Sequence, residues 1–181
     1  MPLQNIAKLA RAIDAVNGTV GRYVAWLAVV MVLVQFTVVV LRYVFGIGSL
    51  FMQESIVYMH SLLFLLGAGY TLLHNGHVRV DIFYRTAKPP SQAKVDLFGS
   101  LFLLIPVCAT IWWTSFPYVW NSWAHFEGSK ETSGIPLVFL LKTAILIFCA
   151  LMIAQAISMI IHSILVLTGH EAPSDEEIER V

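Results

Sequence analysis

Charge is scarce in this chain. Of its 181 residues 58% are apolar and only 12% are Asp, Glu, Lys or Arg, where soluble domains carry about 25%. That excludes an ordinary solvated globular surface, and a mean hydropathy of +0.77 marks membrane composition. The formal net charge is zero, and the unevenly spread charges form neither a basic face for nucleic acid nor a general acidic surface. Cysteine is nearly missing too. Cys108 and Cys149 both lie inside apolar runs, where the thiol behaves as a small hydrophobe and builds no disulfide framework. No nucleophile–base set, phosphate loop or carboxylate dyad stands out, so nothing points to an enzyme. The six histidines do not provide haem or metal ligands at matched depth. His60 is alone near mid-span, His162 lies far along its own run, and His74 with His77 has no further ligand cluster nearby. No cofactor and no metal are expected.

What is abundant is long apolar sequence. Four runs, over about 22–45, 50–73, 94–118 and 135–167, each reach the roughly 20 helical residues that cross a ~30 Å hydrocarbon core. Lipid offers no partners to unpaired backbone, so each run must be a helix. The expected fold is an all-α membrane domain over residues 1–170, with an acidic flexible tail over 171–181. The fourth run exceeds the need and should tilt or project. The first begins too late and lasts too long for a signal peptide, so it is read as retained. Before it, Leu3, Ile6, Leu9, Ala10, Ile13 and Val16 share one helical arc opposite Lys8 and Arg11. That spacing predicts an interfacial amphipathic helix over 3–16, the alternative being a helical extension of the first span.

Basic residues set the orientation. Lys8, Arg11 and Arg22 precede the first span, and Arg79, Arg85, Lys88 and Lys94 separate the second from the third. Only Lys130 occupies the connection between the third and fourth. The positive-inside rule then puts both termini in the cytoplasm.

Several side chains are candidates for holding an assembly together. Arg42, Glu54 and Lys142 fall near the opposite boundary, where a buried charge needs a partner. Glu54 is expected to pair with Arg42 or Lys142, the alternative being separate snorkelling. Gly67 and Gly69, and the Ala150, Ala154, Ser158 ridge, allow close helix approach, and Gln35 and Gln155 can add interhelical hydrogen bonds. The third run ends in aromatics. An interfacial belt explains them, and Trp120 and Trp123 are additionally candidates for docking a soluble partner. Pro106 and Pro117 are positioned to kink that helix. Between the second and third runs, His74-Asn75-Gly76-His77-Val78-Arg79-Val80-Asp81 packs polar groups densely. There His77, Arg79 and Asp81 either end the helix in water or bond to a partner.

In order along the chain, Arg42-Tyr43-Val44-Phe45-Gly46, Gln53-Glu54, Gly67-Ala68-Gly69-Tyr70 and Asn75-Gly76-His77-Val78-Arg79-Val80-Asp81 resemble the small membrane subunit, DctQ-like, of tripartite ATP-independent periplasmic (TRAP) transporters. The likeness runs from about residue 20 to 165. Gln53 departs from it, since many relatives carry a second acid there. The resemblance implies a scaffold in the bacterial inner membrane for a large multi-span transport subunit. It further implies sodium-coupled uptake of an organic acid delivered by a periplasmic binding protein. The chain itself lacks the paired broken helices of a transport site. A four-helix membrane anchor for a redox complex is the main alternative, and a small exporter acting alone is a third reading.

Overall fold

In the computed structural model α4 (Val138–Leu167) is the helix on which the others assemble. About 39% of its most apolar window is buried within the chain, against none of the corresponding window of α1 (Pro2–Val44). Helices α1 and α2 (Leu50–Leu73) pack on each other and on α4, whereas α3 (Pro89–Ala124) packs on α4. The structure describes residues 2–78, 84 and 87–169. Among these there are four helices long and apolar enough to span a membrane, and neighbours in sequence run antiparallel.

The first helix differs from expectation. Residues 3–16 are not a separate interfacial helix; they are the start of one continuous 43-residue α1. The cause lies in its faces. Ala10 is fully buried against Ile161 and Leu165 of α4, while Ile6, Leu9 and Val16 stay exposed. Docking on α4 keeps this stretch collinear with the span instead of letting it fold away. At 1.5 Å per residue α1 is roughly 64 Å long, about twice the hydrocarbon thickness.

Local chemistry sets the other ends. Ser49 caps α2, its hydroxyl accepting from Met52 N at 3.4 Å. At the far end Asn75 takes φ 52°. The Gly76 N–H then reaches Thr71 O at 2.8 Å and the Asn75 N–H reaches Leu72 O at 3.2 Å, a Schellman stop with asparagine in the left-handed position. Pro106 has no N–H to offer the Phe102 carbonyl, and Ser100–Leu104 forms a π-helical turn just before it. The fourth helix starts at Val138, not at 135 as expected. Pro136 disfavours helical backbone at Ile135, and the Ile135 N–H is engaged elsewhere.

Candidate functional site

Two carboxylate-centred clusters fasten the bundle, one at each end. The first joins α2 to the connection between α3 and α4. Glu54 accepts from the Ser129 hydroxyl at 2.5 Å and from the Ile135 N–H at 2.6 Å. A Cβ at Gly134 would come within 2.7 Å of Glu54 Oε1 and collide with Ser129, so only glycine lets the loop wrap this closely. Tyr58, one turn along α2, reaches Ile135 O at 3.5 Å.

Glu54 therefore pairs with neither Arg42 nor Lys142. The connecting loop brings two neutral donors to it first. Lys142 is engaged by Glu127 and lies 3.8 Å from the centre of the Tyr118 ring. Glu127 also accepts from Ser122 Oγ at 2.7 Å. The Lys142 and Ser122 hydrogen bonds hold the Glu127 carboxyl below its usual value, and the charges of Lys142 and Lys130 add to this against a modest burial effect. Arg42 stays exposed in the last turn of α1.

The second cluster, at the other end, ties α1 to α4. Asp14 Oδ1 accepts from Ser158 Oγ at 2.6 Å and from Gln155 Nε2 at 2.9 Å, and Asp14 Oδ2 lies 3.0 Å from His162 Nε2. Asn17 Nδ2 donates to Gln155 Oε1 at 2.8 Å. Asn17 is 1% exposed, and its Oδ1 has no hydrogen-bond partner among the described residues. It rests against Gly69 of α2, where a Cβ would collide with it. Three helices thus meet at one amide. Nearby, a Cβ at Gly21 would collide with the Tyr70 ring, whereas one at Gly67 would meet only Val24, at 4.0 Å. Of the two glycines expected to allow close approach, Gly69 does and Gly67 does not.

The small-residue ridge is likewise redistributed. Ala150 is exposed and Ala154 half-buried, so only Ser158 of that trio is fully buried. The other fully buried small residues of α4 are Ala144, Cys149 and Ala156, each 0% exposed. Trp123 donates from Nε1 to Thr143 Oγ1 at 2.8 Å and packs edge-on to Phe139. With Trp120, Phe116, Val119 and Leu146 it borders an apolar groove of about 570 Å³; Trp120 is 68% exposed. His77 is exposed just beyond the Schellman turn, while Arg79 and Asp81 lie outside the described residues.

Asp14, Asn17, Gly21, Glu127 and Ser129 escaped the sequence reading. A signal existed for the first two, because Gln155, Ser158 and His162 form a polar stripe at i, i+3 and i+7 on the long apolar fourth run. That stripe needed an acceptor on another helix. Among the described residues no group of three or more His, Cys, Asp or Glu is arranged to hold a metal ion.

Four apolar helices bound by polar clusters at their ends describe a bundle, not yet a family. The family model for "Tripartite ATP-independent periplasmic transporters, DctQ component" matches residues 31–165. The chain belongs to the DctQ family. It is thus a multi-pass membrane protein of the small-permease-component type, as its ordered motifs suggested. No curated protein and no solved structure matches it. The match begins at residue 31, so it covers the Glu54 and Glu127–Lys142 clamps whole. Asp14 and Asn17 fall outside it, which makes the α1 half of the second cluster a property read from this DctQ chain alone.

Proposed function

We propose that this DctQ chain is the fixed scaffold subunit of a TRAP transporter in the bacterial inner membrane. It holds a large multi-span subunit that carries an organic acid inward on a sodium gradient, the substrate being delivered by a periplasmic binding protein. Family membership over residues 31–165 is the observation that carries this reading. Two physical features support it. Helix α1 leaves its apolar window unburied, a large surface available to a second membrane protein. Both polar clusters lock the bundle's ends by specific hydrogen bonds, which suits a rigid support. On the basic-residue bias the Glu54 end is periplasmic and the Asp14 end cytoplasmic.

The test is reconstitution. Liposomes containing this chain with a large TRAP membrane subunit from the same source, supplied with the matching binding protein and an inward sodium gradient, are expected to accumulate substrate. Omitting any one component should abolish uptake. Transport by this chain alone would refute the scaffold role.

A further inference from the structure

One amide and one imidazole at mid-bilayer depth are exposed without a hydrogen bond among the described residues: Gln35 on α1 and His60 on α2. Gln35 is nine residues from the end of α1 and His60 ten from the start of α2, so each lies roughly 14 to 15 Å inside its span. His60 only stacks on Phe64. The pairs Gly18–Leu73, Gly21–Tyr70 and Val24–Gly67 set an antiparallel register between α1 and α2. Continued along the helices, that register puts His60 level with residue 31 and Gln35 level with residue 56, about one turn or ~6 Å apart. Glu54 and Tyr58 turn the opposite side of α2 toward the α3–α4 connection, so His60, two residues beyond Tyr58, points away from it.

The remaining exposed surface differs in kind. On α4 it displays Leu140, Ile147, Ile157 and Ile164. On α3 the exposed hydroxyls of Thr110 and Thr114 satisfy themselves on Pro106 O and Thr110 O, at 2.8 and 2.9 Å. Thr37 does the same with Leu33 O at 2.8 Å. The α4 face can meet lipid at no polar cost, whereas α3 also exposes the indole of Trp113 (81% exposed). Gln35 and His60 cannot meet lipid on the terms of α4, because hydrocarbon supplies no donor or acceptor.

We infer that the outer α1–α2 face centred on Gln35 and His60 is where the large membrane subunit packs, offering hydrogen-bonding side chains at mid-bilayer depth. This rests on the scaffold reading above. The α4 face, apolar throughout its exposed stripe, is the lipid-facing side.

A photo-reactive benzoylphenylalanine placed singly at positions 35, 60, 147 and 157 of the full chain tests it in membranes containing the intact complex. Cross-links to the large subunit are expected from 35 and 60 and not from 147 or 157. The double variant Gln35→Leu, His60→Leu is more lipophilic than the parent, so it should insert normally. It should nonetheless recover less large subunit on purification, by about threefold for each lost hydrogen bond, with His60→Gln restoring part of the loss. Cross-links from 147 or 157 alone, or from 60 only to a second copy of this chain, would overturn the assignment while leaving the scaffold role standing. Failure of any large subunit to co-purify with the parent chain would overturn both.

Discussion

The Glu54 carboxylate accepts a hydrogen bond from the Ile135 N–H at 2.6 Å across 81 residues of sequence. This contact, with the one from Ser129, ties the start of α2 to the loop that leads into α4. Glu54→Ala should lower the melting temperature, because it strands a hydroxyl and a backbone donor. The same logic predicts that Glu54→Lys is not rescued by Arg42→Glu or by Lys142→Glu. Thermal unfolding of detergent-purified protein is the measurement, and rescue by either partner would contradict the geometry.

The glycines of α1 and α2 separate cleanly. Gly21→Ala and Gly69→Ala should each destabilise by about 1–3 kcal/mol, since the added methyl runs into Tyr70 or Asn17. Gly67→Ala, with its nearest neighbour at 4.0 Å, should be neutral or slightly stabilising. Melting temperatures of the three variants decide it.

Acid should loosen the α3–α4 connection first. The carboxyl of Glu127 is held below its usual value, so the folded state binds its proton less readily than the unfolded one. The stability this contributes is present above the ordinary carboxylate range and is lost as pH falls through the lowered value. Glu127 is partly exposed, and solvent screening keeps the effect modest. Hydrogen-exchange protection at residues 127–135, corrected for the pH dependence of the intrinsic rate, should fall on lowering pH before protection in the core of α4. In Glu127→Gln that early loss should shrink to what the Glu54 contacts with Ser129 and Ile135 contribute.

Asp14→Ala removes the acceptor for Ser158 and Gln155 and the partner of His162. It should cost about 1–3 kcal/mol and free the first turns of α1 from α4. Faster amide exchange and new proteolytic cleavage before residue 18 are the expected readouts. Span α2, which ends opposite Gly18, should keep its protection.

The four spans were legible because their lengths and hydropathy are what a bilayer demands of any sequence. The polar word after α2 was legible as a boundary, and its Asn75-Gly76 pair does end the helix. Pairing was not legible. Glu54 invited a cationic partner on charge alone, yet a backbone N–H and a hydroxyl in a loop of unforeseeable shape reached it instead. Ala150 and Ala154 looked like a ridge by spacing, while rotation of α4 about its axis, which spacing leaves open, turned Cys149 and Ala156 inward. The join between the N-terminal helix and the first span depended on whether α4 would accept Ala10. That is a tertiary fact.

Because α4 is made after α1, α2 and α3, which assemble on it, this bundle cannot close during synthesis until that helix has emerged. The α1–α2 hairpin can zip early through Gly21 and Tyr70. Asp14 and Asn17 must wait for Gln155, Ser158 and His162 to leave the ribosome, and α3 has little to lean on in the interval. A chain arrested before residue 138 would expose stranded polar groups and unclaimed apolar faces, the kind of intermediate that misassembles. Quality control of this subunit should therefore be decided by the arrival of α4.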